Sequence, residues 1–220
     1  MSVLPMLRAS AASAVAEVVR DELLSGAYPP GAGLSEVELS ARTGATVAVV
    51  REALRVLARE GLVVHSLHRG VEVTPITPED VHDIYAVRHV YEAAGLEALL
   101  ERRHVDLSWL RAATDRMGEA AVTRDWRAAV EAEVAFHLAI VAAAGAQRLT
   151  IAAQSALMEL RVVLAVACRA VDDLPALVAE HDHLVSIFAT GRVPWAAAAL
   201  EDHLLRGEAG ARATLQALVA

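Results

Sequence analysis

The sequence contains a single cysteine, Cys168, among its 220 residues, so no disulfide can form within one chain. This excludes a disulfide-stapled secreted scaffold and fits a reducing compartment. Cys168 ends an apolar run that starts at Val162, which favours a small core residue over a reactive thiol. No basic segment is followed by a long apolar run at the N-terminus, and no stretch reaches about 20 consecutive apolar residues. We therefore expect a cytoplasmic protein with no membrane partner.

Lysine is absent, so all 20 basic residues are arginine. Every cation of the chain can therefore make bidentate contacts with phosphate, guanine or carboxylate. Aromatic residues make up only 4% of the sequence, whereas apolar residues make up 55%. The core must consist mainly of Ala, Val and Leu, a composition typical of helix-on-helix packing.

The net charge of −8 is distributed unevenly along the chain. Residues 1–76 hold 7 Arg and 8 acidic residues, whereas residues 77–220 hold 13 Arg and 20 acidic residues. The acidity therefore belongs to the second part. Because the first part is almost neutral, we expect its non-specific attraction to phosphate to be modest.

Apolar periodicity and helix-start signals divide the chain into two parts with different elements. In the first part, Gly44 separates two helical segments whose predicted N-cap residues are Ser35 and Thr46, and a hairpin follows. Two prolines then interrupt the pattern, so we predict two domains, residues 1–76 and 77–220. The predicted helices span residues 9–25, 35–43, 46–60, 78–103, 107–121, 124–144, 147–170, 174–190 and 194–216, and the hairpin strands span residues 62–65 and 71–74.

A short helix-turn-helix followed by a hairpin is typical of a winged DNA-binding unit. The second part has no convincing strand and six long helical patterns, which indicate an all-α bundle. The predicted fold class is therefore mainly α, with an N-terminal winged helix-turn-helix followed by an all-α helical effector domain.

The predicted helix that begins at Thr46 has an apolar face for the core and an outward face suited to the DNA major groove. Arg51 can reach a phosphate or a guanine edge, and Thr46 can contact phosphate through its hydroxyl and the helix N-terminus. Arg69, at the hairpin tip, can enter the minor groove or contact the DNA backbone. Taken singly, each arginine also fits a solvated surface. The candidate DNA-contacting residues are Ser35, Thr46, Val47, Ala48, Arg51, Arg55, Arg69 and Gly70.

The second part contains a carboxylate and histidines with spacing suited to metal binding. Glu133 and His137 are four residues apart on a predicted helix, so both side chains project from one face. His181 and His203 follow on two later helices. Three imidazoles and one carboxylate inside a bundle suit a divalent transition metal such as Zn²⁺, Ni²⁺ or Mn²⁺. Taken alone, each histidine also fits a surface or core position, and His183 is assigned to solvent.

The motifs of both parts resemble one known family. Residues 11–74 resemble the winged helix-turn-helix of the GntR family of bacterial transcription regulators, and the second part resembles the ligand-binding domain of its FadR subgroup. In the first part the matching motifs are Pro30-Gly31, Leu34-Ser35-Glu36, Leu39, Gly44, Val50-Arg51-Glu52-Ala53-Leu54, Leu57, Glu60-Gly61-Leu62-Val63 and Arg69-Gly70. In the second part they are the Glu133 to His137 pair, the 22-residue spacing from His181 to His203 with Gly191 between them, and Arg88-x-x-x-Glu92.

The resemblance implies a metal ion held by that carboxylate and the three matching histidines. It also implies that Arg88 binds the anionic end of an effector, while Glu92 pairs with or orients nearby polar groups. An ordinary salt bridge between Arg88 and Glu92 is the alternative. Tyr85, one turn before Arg88, either lines the effector pocket or packs in the core.

Two positions depart from the pattern of the family. Val47 stands where the family usually has an arginine that touches DNA, so the usual operator sequence is not expected here, although a valine can contact a thymine methyl group. Glu133 stands where the family mostly has aspartate. The additional methylene either is absorbed by a different rotamer or shifts the metal.

These observations together predict a transcription regulator that binds a palindromic DNA operator as a homodimer. A small carboxylate effector, bound at the metal site, would control the operator affinity. The alternative is a metal sensor in which the ion itself is the signal. A metal enzyme is disfavoured, because no general base is placed beside the proposed ligands.

Overall fold

The computed structural model describes residues 4–67, 69–102 and 106–219. Within these ranges the chain is mostly helical, with three short strands near the N-terminus. The fold class predicted from the sequence is confirmed. His68 of the predicted hairpin tip and the predicted helix end at residue 103 lie outside the described residues.

The order of the elements follows the predicted order, with one additional strand. The helices are α1 (Leu4–Leu24), α2 (Glu36–Thr43), α3 (Val47–Arg59), α4 (Pro78–Leu100), α5 (Ser108–Thr123), α6 (Trp126–Ala142), α7 (Gln147–Val171), α8 (Leu174–Phe188) and α9 (Val193–Val219), and the strands are β1 (Gly33–Leu34), β2 (Val63–Ser66) and β3 (Gly70–Val73).

The first three helices and the small sheet enclose a core of their own. The hydroxyls of Ser35 and Thr46 accept hydrogen bonds from backbone amides three residues ahead, so both act as the predicted N-caps. Gly44 ends α2 with φ 69°, in the left-handed region that glycine adopts without strain. The sheet has the order β1-β3-β2 and is antiparallel throughout.

Helices α4 to α9 enclose a second, larger apolar core. Thr77 and Asp80 form a reciprocal capping box at the start of α4, where Pro78 occupies the first helical position. Asp125 and Asp173 cap α6 and α8 through their carboxylates. These local signals set where each helix starts and therefore which residues face the interior of the bundle.

Helices α4 and α6 approach each other closely at Gly95. A Cβ atom at this position would lie 2.2 Å from the backbone carbonyl oxygen of Ile140, so only glycine fits. One turn before Gly95, Glu92 extends toward α6 and reaches His137. The close crossing therefore brings a carboxylate of α4 to the centre of the bundle.

Helix α7 contains a long apolar stretch and contributes to both cores. Its segment Gln147–Ala170 is long and apolar enough to cross a membrane by length and composition, and 44% of its most apolar stretch is buried in the fold. Val163 packs in the larger core, whereas Val162 packs in the core of the first three helices. The apolar composition of α7 is therefore explained by its packing in the two cores.

Helix α7 also makes polar contacts with the N-terminal unit. The Nη2 atom of Arg161 donates to the backbone carbonyl of Glu60, the C-cap residue of α3, at 2.9 Å. Arg169 donates to the carbonyl of Ser25 at 3.1 Å, just beyond the end of α1. Helix α7 therefore contacts the N-terminal unit at the ends of α1 and α3, and α6 contacts it as well through the ion pair of Arg127 with Glu17.

Candidate functional site

Four titratable side chains from three helices meet inside the bundle. Glu133 and His137 come from α6, His181 from α8 and His203 from α9, and all four are buried. One potential ligand atom of each residue lies within 4.8 Å of the others. The structure thus brings together the four residues that the sequence analysis selected as metal ligands.

The three imidazole rings are oriented by partners on their Nδ1 atoms. Nδ1 of His137 lies 2.6 Å from a carboxylate oxygen of Glu92, and Nδ1 of His203 lies 2.8 Å from Glu180. Nδ1 of His181 lies 2.8 Å from the backbone carbonyl of Leu177. When Nδ1 carries the proton and donates it to these acceptors, each Nε2 atom is free to bind a metal.

The spacing of the inward atoms is compatible with a metal ion held among them. Metal–nitrogen bonds of about 2.1 Å at right angles place neighbouring donor atoms roughly 3 Å apart. Nε2 of His137 lies 3.2 Å from Nε2 of His203 and 3.1 Å from Oε1 of Glu133. Nε2 of His181 lies 2.8 Å from Oε2 of Glu133, but neither atom has an aligned hydrogen-bond partner. A cation at this position would satisfy both.

The charges of the cluster favour an ionised carboxylate. Burial works to raise the pKa of Glu133, but His181 and His137 outweigh it and hold this pKa well below its usual range. Burial likewise opposes ionisation of Glu92, yet His137 and Arg88 lower its pKa to about 2. Burial lowers the pKa of His203, which favours the neutral ring that a metal requires.

Arg88, the candidate effector ligand, is buried beside this cluster. Its Nε atom donates to Glu92 at 2.8 Å, so the ion pair considered for these residues is present. Its Nη2 atom is buried and has no hydrogen-bond partner among the described residues, which is costly for a guanidinium unless a ligand oxygen binds there. The guanidinium lies 4.6 Å from the centre of the Tyr85 ring.

A cavity of about 240 Å³ adjoins the cluster, and Tyr85, Glu133 and His203 form part of its wall. Cys168 also lines it, and burial raises the pKa of this thiol to about 12. The cysteine therefore contributes apolar surface rather than a nucleophile, as predicted. The rest of the wall combines aliphatic residues with Asp173, Glu180 and Arg206, so the cavity suits a small molecule with a polar end directed at His203.

The outward face of α3 carries the candidate DNA-contacting residues. Val50, Ala53, Leu54 and Leu57 are buried on the opposite face, so α3 packs as the sequence pattern predicts. Thr46, Ala48, Arg51 and Arg55 are exposed, and Val47 is partly exposed. Ser35 and Gly70 lie at the start of α2 and of β3 respectively.

Each candidate arginine of this surface already has a carboxylate partner. Arg51 binds Glu36 through two hydrogen bonds of 3.0 and 2.6 Å. Arg55 pairs with Glu52 at 2.9 Å, and Arg69 pairs with the nearly buried Glu72 at 3.0 Å. The sequence analysis did not identify these partners of Arg51 and Arg69.

Sequence reasoning also missed two groups that orient the histidines, Glu180 and the carbonyl of Leu177. Glu180 directly precedes His181 in sequence but binds His203 on the next helix. Leu177 lies four residues before His181 on the same helix. Its contribution is a backbone carbonyl, which every residue type has, so the sequence does not mark it. Only the packing of α8 against α9 reveals the first of these contacts.

A winged helix-turn-helix joined to a ligand-binding helical bundle defines a DNA-binding transcription regulator. Residues 11–73 match the family described as bacterial regulatory proteins, gntR family, and residues 83–206 match the FCD domain. The chain belongs to the GntR family of bacterial transcription regulators and carries an FCD domain. Members of these families are regulators rather than enzymes, as the sequence analysis expected.

Relatives extend over nearly the whole chain. A GntR transcriptional regulator of known structure from Rhodococcus sp. RHA1 is 30% identical, with a TM-score of 0.73 over 92% of this chain and 97% of its own. A regulator from Paenarthrobacter nicotinovorans, described as a repressor of a D-xylose utilization operon, is 28% identical over 90% of this chain and 88% of its own. The fold of E. coli McbR/YncC is also similar, with a TM-score of 0.64, 18% identity, and coverage of 91% of this chain and 96% of its own.

Proposed function

We propose that this regulator binds a palindromic operator as a homodimer and that a small organic acid, bound at a divalent metal site, controls its operator affinity. The observation that carries the proposal is the orientation of three buried imidazoles, each held through Nδ1, toward one carboxylate. The two functional units would be residues 1–76 for DNA and residues 77–220 for effector, metal and dimerisation. A DNA partner and the family membership are consistent with a cytoplasmic location.

The proposed metal ligands are the Nε2 atoms of the three histidines and the Glu133 carboxylate. The donor set suits Zn²⁺, Ni²⁺ or Mn²⁺, and the extra methylene of Glu133 relative to aspartate does not prevent its oxygens from reaching the imidazoles. When bound, such an ion supplies a positive centre that attracts a carboxylate oxygen of the effector. Four protein ligands on an octahedral ion leave two further positions for water or effector.

Arg88 is the proposed second anchor of the effector. Its buried Nη2 atom has no hydrogen-bond partner within the described part of the chain, and an effector carboxylate would provide one. Glu92 accepts a hydrogen bond from Nε of Arg88 and binds Nδ1 of His137. It therefore connects the proposed effector anchor with one of the proposed metal ligands. Tyr85 lies under the guanidinium and lines the cavity, which supports a contact between its ring and the effector.

The proposed operator surface consists of the exposed residues at the starts of α2 and α3 and at the hairpin. Its members are Ser35, Thr46, Val47, Ala48, Arg51, Arg55, Arg69 and Gly70. One such surface offers few phosphate contacts, because its arginines are paired with carboxylates. Two copies on two half-sites would supply the affinity that one copy lacks.

The first experiment measures metal content and operator affinity together. Protein with one equivalent of Zn²⁺, Ni²⁺ or Mn²⁺ is titrated with operator DNA in the presence of a panel of small mono- and dicarboxylates. We expect at least one acid to change the operator affinity of the metal-loaded protein, and to have no effect after treatment with a chelator. His181→Ala should lose the metal, whereas Arg88→Met should keep the metal and lose the response to the acid.

His183→Ala is the matched control, because His183 is exposed and lies two residues from His181 on the same helix. It should retain metal binding and effector response. If metal alone changed operator affinity and no acid added to the effect, the protein would be a metal sensor. If His181→Ala bound metal as the wild type does, the proposed site would be wrong.

A further inference from the structure

The start of the recognition helix presents methyl groups rather than polar atoms to its surroundings. Val47 and Ala48 occupy the first turn of α3, where Val47 is partly exposed and Ala48 is exposed. Val37, in the first turn of α2, is 69% exposed. In winged and other helix-turn-helix proteins the first residues of the recognition helix lie nearest to the base edges. The side chains that reach the bases first are therefore unable to form hydrogen bonds.

Thr46 caps the helix through its hydroxyl, and the long polar side chain of this face, Arg51, is held by an ion pair. Both carboxylate oxygens of Glu36 hold the guanidinium of Arg51, through Nε and Nη2. This ion pair fixes the orientation of the guanidinium and leaves the Nη1 hydrogens and the second Nη2 hydrogen for other acceptors. Helix α2 supplies both Glu36 and the adjacent Val37, so the same short segment orients Arg51 and adds an apolar surface.

Only one base presents a methyl group in the major groove of duplex DNA. Thymine carries it at C5, and apolar side chains discriminate thymine by contact with this group. Cytosine carries only a hydrogen at C5, and guanine and adenine have no methyl group at all, so their hydrogen-bonding atoms are left unsatisfied by Val47 and Ala48. A recognition helix of this composition therefore favours A·T pairs with thymine on the contacted strand.

We propose that Val47 and Ala48 are specificity-determining residues that read thymine methyl groups in each half-site of the operator. The inference rests on the proposed operator binding and adds the base chemistry of the recognition. The Glu36–Arg51 ion pair holds the guanidinium toward α2.

The test begins with the full-length protein and a pool of random duplexes, from which a bound consensus sequence is selected. Each thymine of the consensus is then replaced by deoxyuridine, which removes only the C5 methyl group. Burial of one methyl group contributes about fourfold in affinity, so deoxyuridine at a contacted position should weaken binding by about this factor. Other thymines of the site should tolerate the replacement.

Val47→Ala supplies the second side of a double-mutant cycle. At a thymine that Val47 contacts, this variant should bind the thymine and deoxyuridine duplexes with nearly equal affinity. Val122→Ala is the matched control, because Val122 is 86% exposed on α5 of the other unit. It should retain the full difference between the two duplexes.

The outcomes separate this inference from the function on which it rests. If the protein selects a consensus but deoxyuridine has no effect at any thymine, methyl recognition is wrong and operator binding stands. If the consensus is rich in guanine and 7-deazaguanine weakens binding, Arg51 reads guanine, which also overturns the inference. If no duplex is selected, the proposed operator binding itself fails.

Discussion

At the scale of single residues, Gly95 determines how closely α4 can approach α6. The position where its Cβ would stand is 2.2 Å from the carbonyl oxygen of Ile140, and this oxygen belongs to a helix backbone that cannot rotate away. Gly95→Ala must therefore separate α4 from α6. Overpacking of this kind costs up to about 3 kcal/mol, so we expect a loss near that value in urea denaturation.

The control for this prediction is Gly118→Ala. Gly118 lies in the interior of α5, and no atom lies within 4 Å of the position that its Cβ would occupy. Alanine has the higher helix propensity, so this variant should gain about 0.5–1 kcal/mol. Equal effects of the two substitutions would mean that α4 and α6 do not cross as described.

At the residue scale, some of the site could be predicted from the sequence because its geometry is local. Glu133 and His137 are four residues apart, and helix periodicity alone places them together. The grouping of His181 and His203 with them needed a resemblance to a known family. The Glu36–Arg51 pair connects α2 and α3 across a tight turn. Whether these two side chains meet depends on the angle between the two helices, which the spacing of residues in the sequence does not give.

At the scale of elements, helix positions followed from caps and breakers, which are local. The first strand was not predicted, since two residues, Gly33 and Leu34, carry no alternation and pair only because β3 lies beside them. The first helix starts at Leu4 rather than at residue 9, as helical hydrogen bonding continues through the preceding residues. Strand pairing and the extension of a helix both depend on residues that lie outside the short stretch of sequence from which each element was predicted.

Helix α7 is the element that can pass a signal between the two units. Leu164 and Cys168 line the cavity, while Arg161 of the same helix holds the carbonyl of Glu60 at the end of α3. An effector that shifts α7 would therefore move the recognition helix. We expect Arg161→Leu to retain operator binding but to reduce the change in operator affinity that the effector causes.

The measurement is the operator affinity with and without effector, together with the effector affinity with and without operator. Linkage requires the two ratios to be equal, and both should fall together in Arg161→Leu. Arg148→Leu, an exposed position near the start of the same helix, should keep the wild-type ratio. Unchanged coupling in Arg161→Leu would show that α7 does not carry the signal through this contact.

At the scale of the whole molecule, a groove on the bundle surface is suited to a second copy of the chain. A cavity of about 430 Å³ lies between α4 and α9, with Leu96, Leu200 and Leu204 among its lining residues. Val90 on α4 is 65% exposed, and Leu205 on α9 is 52% exposed. In a twofold dimer the same patch of both copies would meet and cover these side chains.

Val90→Glu should therefore produce monomers. It places a carboxylate in the apolar contact of both copies, where it is buried without a partner charge. In light scattering after gel filtration, the mass of the wild type should be twice that of this variant. The operator affinity of the variant should also fall, because each monomer then binds one half-site independently. Val122→Glu introduces the same charge at a more exposed valine of α5 and should remain dimeric. If Val122→Glu dissociated the dimer and Val90→Glu did not, the interface would lie on α5 rather than on α4 and α9.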